Sequence, residues 1–271
     1  MDRPFRTWWE ADGMQLRGAV VVVTGASSGI GWETALGFAK NGATVVGAAR
    51  RKDRLDELVA IIEQRGGKAL AVQCDVSELE QVEDLRRTVE EAFGRCDVLI
   101  NNAGVAGGGP FAELPIERVE KVVRINYLGV LYCTKAFLPM MLDAGRGHVV
   151  NVASLAGRYA VPGSSVYSST KHALVAFSEA LYYELSPRGV LVTTVNPSFV
   201  RTEGFSVGEL DKLPKATVLE AVDVAKAILD VVRKGKAPEV SVPRWMASMQ
   251  SVRILAPPLY RAALRRMSRA G

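Results

Sequence analysis

Short apolar, β-branched runs alternate along this chain with longer stretches whose apolar residues recur every three to four positions. The runs are 19–25 (AVVVVTG), 43–50 (ATVVGAAR), 68–76 (KALAVQCDV), 96–104 (CDVLINNAG), 147–154 (GHVVNVAS) and 190–197 (VLVTTVNP), with a shorter one at 238–242 (PEVSV). Between them, 31–42, 53–67, 79–94, about 116–143, 165–187 and 221–234 have helical spacing, several closed by glycine. Strands that are apolar throughout, each feeding a helix, predict a parallel sheet covered on both faces. With no linker and no internal repeat, the expected fold is one doubly wound, Rossmann-like α/β domain over 16–242. An N-terminal extension (1–15) precedes it, and a basic, amphipathic, helical appendage (243–271) follows. Ligands of such sheets bind past the carboxyl ends of the strands. That rule selects 24–31, 50–51, 75–76, 101–111, 154–164 and 197–210.

Composition narrows the class. Of 271 residues, 48% are hydrophobic and 23% charged, enough apolar content for a sizeable core. Cys74, Cys96 and Cys133 are scattered and odd in number, which suits a reduced, cytoplasmic protein better than a disulfide framework. His148 and His172 are the two histidines, and no Cys/His cluster has metal spacing, so no metal is expected. No apolar run reaches the roughly 20 residues of a membrane span, and MDRPFRTWWEADG has no signal-like apolar core. Trp8 and Trp9 in that segment are candidates for packing on the body or on a partner. The net charge of +5 is concentrated at one end. Residues 240–271 hold Arg244, Arg253, Arg261, Arg265, Arg266 and Arg269 without a lysine or an acid, leaving 1–239 at −1.

Three stretches carry candidate chemistry. TGASSGIG (24–31) passes from strand to helix through Gly25, Gly29 and Gly31. Glycines there permit a tight turn and close approach of an anion to free helix N–H groups, although the same glycines also fit a purely structural turn. No P-loop lysine follows. The second strand ends GAARRKD, with Arg50 and Arg51 where an acidic reader of a ribose hydroxyl would stand. Two arginines there suit a 2′-phosphate; they also fit a solvated loop. Asp53 is expected to cap the next helix. In SVYSSTKHAL (165–174), Tyr167 stands one helical turn before Lys171.

Taken together, Thr-Gly-x-x-x-Gly-Ile-Gly at 24–31, NNAG at 101–104 and Tyr-x-x-x-Lys at 167–171 resemble the short-chain dehydrogenase/reductase family over about 16–242. The resemblance implies a dinucleotide-binding catalytic domain. It assigns Tyr167 as general acid/base, Lys171 as its activator and a ribose ligand, Ser154 as donor to the substrate oxygen, and Asn126 as holder of a relay water. It implies cofactor contacts at Gly25, Ser27, Ser28, Ile30, Gly31, Asp75, Val76, Asn101, Ala103 and Gly104, with Asp75 on the adenine amino group. PSFVRT (197–202) keeps the family's proline and threonine but has Ser198 where glycine is usual. Val200 and Thr202 are expected at the carboxamide. The physics agrees with these roles: a nearby ammonium favours tyrosinate, and a donor at the carbonyl stabilises developing charge.

The expected function is an oxidoreductase that interconverts an alcohol and a carbonyl with NADP(H) in preference to NAD(H), Arg50 and Arg51 reading the phosphate. The alternative is a cofactor-sensing or membrane-surface protein on the same fold. The substrate loops 104–111, 155–165 and 199–215 offer Tyr159, Val161, Phe199 and Phe205 as apolar walls, pointing to a hydrophobic small molecule. Arg158 and Arg201 are candidates to bind an acidic group, with facing water the favoured reading. No nucleic-acid partner is expected; the family resemblance implies a homo-oligomer. Pro257 and Pro258 divide the tail into two helical pieces, expected to pack near the substrate entrance. The competing reading has 244–269 touch anionic lipid as a peripheral contact.

Overall fold

The computed structural model describes residues 13–160, 162–203, 215–235 and 238–269, with backbone alone at 249–250, 263–264 and 266–269. The N-terminal tryptophans, Val161 and the loop 204–214 with Phe205 lie outside the described residues.

Seven parallel strands form the central sheet: β1 (Val20–Thr24), β2 (Thr44–Ala49), β3 (Lys68–Gln73), β4 (Val98–Asn101), β5 (Gly147–Val152), β6 (Val190–Pro197) and, after a two-stranded ribbon, β9 (Glu239–Val242). Their order is β3-β2-β1-β4-β5-β6-β9. The ribbon pairs β7 (Phe199–Arg201) with β8 (Val218–Glu220). Alternation along β1 feeds both faces. Val21 and Val23 point to one core, with Leu55, Leu58, Ile62, Val224 and Ile228. Val20 and Val22 point to the other, with Val82, Leu85, Phe137, Met141 and Leu181. Helices α1 (Gly29–Lys40), α2 (Lys52–Gln64) and α7 (Ala221–Lys234) therefore cover one face. On the opposite face lie α3 (Leu79–Phe93), α4 (Ile116–Val123), α5 (Gly129–Asp143) and α6 (Ser165–Leu185). This is the doubly wound parallel fold expected from the strand pattern. Connections leave β1 and β4 in opposite directions, so a crevice opens between their carboxyl ends.

Three local differences from the pattern have physical causes. The expected helix over 116–143 is interrupted by a π-turn, Arg124–Leu128, between α4 and α5. One extra residue per turn leaves the apolar spacing nearly unchanged, so periodicity does not reveal it. Ile116–Asp143 is also long and apolar enough to cross a membrane by composition, contrary to the expectation that no stretch would be; half of its apolar window is buried inside the fold. Asp53 is not a cap: Arg51 is the N-cap of α2, and Asp53 sits in the first turn, where a carboxylate still favours the helix dipole. The tail forms α8 (Met246–Leu255) and α9 (Pro257–Arg269), divided just before the two prolines.

Buried polar groups tie the central strands to the helices. Asn101 Nδ2 donates to Asn151 Oδ1 (2.9 Å) and Thr134 Oγ1 (3.1 Å), and Asn151 Nδ2 donates to Ser178 Oγ (2.8 Å). Asn151 lies in β5 with no exposed surface. Replacing it by alanine removes one of the two acceptors of the Asn101 amide and the donor to Ser178, so Asn151→Ala should lower the unfolding free energy by about 1–3 kcal/mol in urea titration. An unchanged value would show that the network contributes nothing to stability.

Candidate active site

The β1–α1 turn is shaped for an anion. Gly25 has φ +67°, and a Cβ there would lie 2.9 Å from Ala103 Cα. A Cβ on Gly31 would lie 2.3 Å from the Gly25 carbonyl oxygen. Ser28 precedes α1 in extended backbone without capping it through its side chain, and no acid stands in the first turn. The N–H groups of that turn thus face the crevice with neither a side-chain cap nor a carboxylate at their end. Thr24 Oγ1 accepts from the Asn102 and Ala103 amides (3.0 and 3.1 Å), while Asn102 Nδ2 donates to the Thr24 carbonyl (3.0 Å). Thr24 and Asn102 were not among the expected site residues. The repeated asparagine in NNAG was the available signal: Asn101 turns into the core and Asn102 locks the glycine turn. The cradle fits a dinucleotide pyrophosphate by shape and by its free donors.

On the adenosine side, Arg51 leans back over the turn. Its Nε and Nη2 each lie 3.3 Å from Ser27 Oγ, and its Nη1 pairs with Glu203 at 2.9 Å. Arg50 lies 3.7 Å from Asp75. Asp75 Oδ1 accepts from the Ser77 amide and hydroxyl (3.0 and 2.7 Å), leaving Oδ2 toward Arg50 and the cleft. Thr202 Cγ2 stands 2.9 Å from where a Gly29 Cβ would be, so the segment after β6 closes against the glycine turn. Ser198 N–H donates to the Val242 carbonyl (2.8 Å) and so extends the β6–β9 pairing by one residue. Val200 is buried in β7.

At the carboxyl ends of β4 and β5, the four residues expected to be catalytic converge. Lys171 is 4% exposed; its Nζ donates to the Val152 carbonyl (2.9 Å) and stands 5.7 Å from the Tyr167 ring centre. Tyr167 is half-buried, and the neighbouring Ser154 hydroxyl acts to lower the pKa of its phenol. Ser154 Oγ also accepts from the Ala156 amide (3.1 Å), which fixes the loop that leaves β5. Asn126 is fully buried in the π-turn. Its Oδ1 accepts from Val105 N–H (2.8 Å) and its Nδ2 donates to the Val105 carbonyl (2.9 Å). A Cβ on Gly104 would lie 3.4 Å from Asn126 Oδ1 and 3.8 Å from Lys171 Nζ.

Burial sets the proton affinities. It pushes the Lys171 ammonium down to about 8. It pushes the Tyr167 phenol up, against the Ser154 hydrogen bond, which lowers it. At neutral pH the phenol therefore keeps its proton and the lysine its charge. The cluster can hold a carbonyl oxygen between Ser154 and Tyr167 and deliver a proton to it.

Of the two loop arginines, Arg201 stays exposed as expected, whereas Arg158 does not. Arg158 does not face water: its guanidinium is paired with Glu239 (Nε to Oε1, 2.8 Å), and Asn196 Nδ2 donates to the same carboxylate (2.7 Å). Arg201 pairs with Glu220 at 3.4 Å across the ribbon.

A doubly wound sheet with a glycine cradle at its switch point and a Ser-Tyr-Lys cluster beside it defines a dinucleotide-dependent oxidoreductase class. Comparison with known proteins agrees. The short chain dehydrogenase family model matches residues 19–209. Ketoacyl reductase HetN of Nostoc sp. is 36% identical over 228 residues, covering 84% of this chain and 79% of that protein. An actinorhodin polyketide ketoreductase variant with NADPH superposes with TM-score 0.77 at 32% identity, covering 83% of this chain and 94% of the other. A short-chain dehydrogenase/reductase from Burkholderia phymatum in complex with NAD gives 0.80 at 28% identity, covering 91% and 96%. The chain belongs to the short-chain dehydrogenase family.

The Lys171 burial has a measurable consequence. Its folded value (about 8) lies below the ordinary 10.5. Between these the unfolded chain binds more protons than the folded one, so this group's contribution to stability rises with pH and is lost as pH falls to 8. Tyr167 acts oppositely, above its ordinary 10.0. From pH 8 to 10, the unfolding free energy of the wild type minus that of Lys171→Met should grow in the cofactor-free protein. A flat difference would mean that the lysine titrates normally.

Proposed function

We propose that the protein is an NADP(H)-dependent reductase/dehydrogenase that interconverts a carbonyl and an alcohol on a hydrophobic small molecule. The observation that carries this reading is Tyr167 one helical turn before a buried Lys171, whose Nζ stands 5.7 Å from the tyrosine ring centre at the end of the strand that leads to Ser154. The cofactor, when bound, supplies hydride to the carbonyl carbon. Tyr167 gives its proton to the carbonyl oxygen as charge develops there, and the Ser154 hydroxyl orients that oxygen. The Lys171 ammonium stabilises the tyrosinate left behind and would help hold the cofactor's ribose. The Asn126 side chain is spent on Val105, so a relay water toward Lys171 would hang on main-chain groups of the π-turn rather than on the asparagine amide. In the alcohol-oxidising direction the same groups run in reverse.

Support for NADP(H) comes from the tip of β2, where Arg50 and Arg51 follow Ala49 and no acid is present to bind a ribose 2′-hydroxyl. Arg51 is already paired with a carboxylate, that of Glu203, and a 2′-phosphate would take its place. Tyr159 and Phe199 border the substrate side. Similarity to a ketoacyl reductase and a polyketide ketoreductase favours an acyl-derived or other lipophilic ketone as substrate.

Tyr167→Phe should abolish NADPH-dependent ketone reduction while NADPH still binds in a fluorescence titration, because the chemistry needs the phenol proton and not the ring. Retention of most of kcat would refute the role of Tyr167.

NADPH should bind more tightly than NADH. Arg50→Asp with Arg51→Ala should remove about 1–3 kcal/mol of that preference. Glu203→Gln, which frees Arg51, should tighten NADPH binding and leave NADH unchanged. Equal dissociation constants for the two cofactors in the parent protein would contradict the assignment.

A further inference from the structure

The C-terminal helices are fixed to the body on one side and bare on the other. Tyr159 Oη donates to the Met246 carbonyl (2.9 Å), and the Tyr159 and Tyr260 rings stand 6.5 Å apart. Arg253 Nη1 donates to the Arg158 carbonyl (2.7 Å) and lies 3.2 Å from His172 Nε2. These anchors hold α8 and the start of α9 on the loop that begins at Ser154. A tail that only closed over the body would turn its largest aliphatic residues inward. Instead Ile254 (76% exposed), Leu255 (82%) and Leu259 (68%) stand out where α8 meets α9, with Val252 and Trp245 also exposed. Three neighbouring exposed aliphatics at a helix corner form an apolar projection rather than the scattered single residues of an ordinary surface.

The charges around this corner indicate what covers it. Arg244, Arg261 and Arg265 are exposed, and residues 240–271 contain no acid to neutralise them. A second copy docking through a two-fold contact would set this patch against itself and oppose arginine to arginine. A surface that is apolar beneath and negative at its edge complements both features: aliphatic side chains enter the acyl boundary while arginines meet the phosphates.

We propose that the α8–α9 corner docks the enzyme peripherally on an anionic lipid surface, with Ile254, Leu255 and Leu259 inserted and Arg244, Arg261 and Arg265 at the headgroups. Because the corner is anchored on Tyr159 and Arg158, docking would hold the loop from Ser154 close to the lipid, where a lipophilic ketone partitions. Docking itself does not depend on the catalytic reading.

The test is co-sedimentation of the full chain with vesicles of phosphatidylcholine, alone or mixed with phosphatidylglycerol, with circular dichroism melting to confirm that each variant folds. The full chain should pellet with the mixed vesicles and stay in solution with phosphatidylcholine. Ile254→Asp with Leu255→Asp should lower the partition coefficient at least ~tenfold. Arg261→Gln with Arg265→Gln should lower it about fivefold per arginine, with the remainder weakened by salt. Equal binding to both vesicle types, or no binding to either, would overturn the proposal. So would full binding by the aspartate variant, which would indicate adsorption by charge alone. If the aspartate variant instead lost a dimer by light scattering without any change in vesicle binding, the corner would be a subunit contact.

Discussion

A lysine ammonium with almost no exposed surface is the constraint around which the candidate site is arranged. Taking that charge out of water is costly unless a hydrogen bond and a nearby polarisable group compensate. The Val152 carbonyl at the end of β5 supplies the bond, and the Tyr167 ring lies beneath the ammonium, its centre 5.7 Å away. Close backbone packing keeps the arrangement in place. A Cβ on Gly157 would sit 2.7 Å from the Lys171 carbonyl oxygen, so the loop leaving β5 lies directly on the helix that carries Tyr167 and Lys171. Across the crevice, Gly104 lets the chain after β4 pass within reach of Lys171 Nζ, and Asn126 clamps that passage through both polar atoms of its amide. Loosening any of these contacts would let water reach the ammonium.

The parallel sheet explains why these groups meet although they are far apart in sequence. Each strand delivers its carboxyl end to the same edge, so the glycine cradle after β1, NNAG after β4 and Ser154 after β5 converge at the switch point. The Asn101–Asn151–Ser178 network locks β4 to β5 and both to the helices behind them. The rigid core thereby fixes the distance between the cradle for a dinucleotide and the Tyr167 hydroxyl, which proximity between a bound cofactor and its substrate demands.

Most of this architecture was legible in the chain because apolar periodicity and glycine punctuation are local signals. AVVVVTG, the helix opened at Gly29 and the alternation that follows lie within a few residues of the expected places. What was not legible depends on contacts between distant residues. Arg51 meets Glu203 across 152 positions, and Arg158 meets Glu239 across 81; nothing in RRKD or LAGRYA signals either partner. The β7–β8 ribbon consists of two three-residue strands whose pairing is likewise non-local. The π-turn escaped for a different reason, since a one-residue insertion hardly disturbs the apolar stripe of so long a helix. The tail falls between these cases. Its basic, apolar character was plain, but only the structure shows which of its residues are anchored and which stand bare.

The central claim is that burial keeps Tyr167 protonated in the empty protein, and that the lysine together with an oxidised nicotinamide releases that proton when the cofactor binds. A near-ultraviolet difference titration of the wild type against Tyr167→Phe, with and without saturating NADP⁺, reads the tyrosinate of this one residue. The account predicts that Tyr167 titrates above its ordinary 10.0 in the free protein and well below it in the complex. A Tyr167 that stays protonated to the same high pH in both states would contradict it.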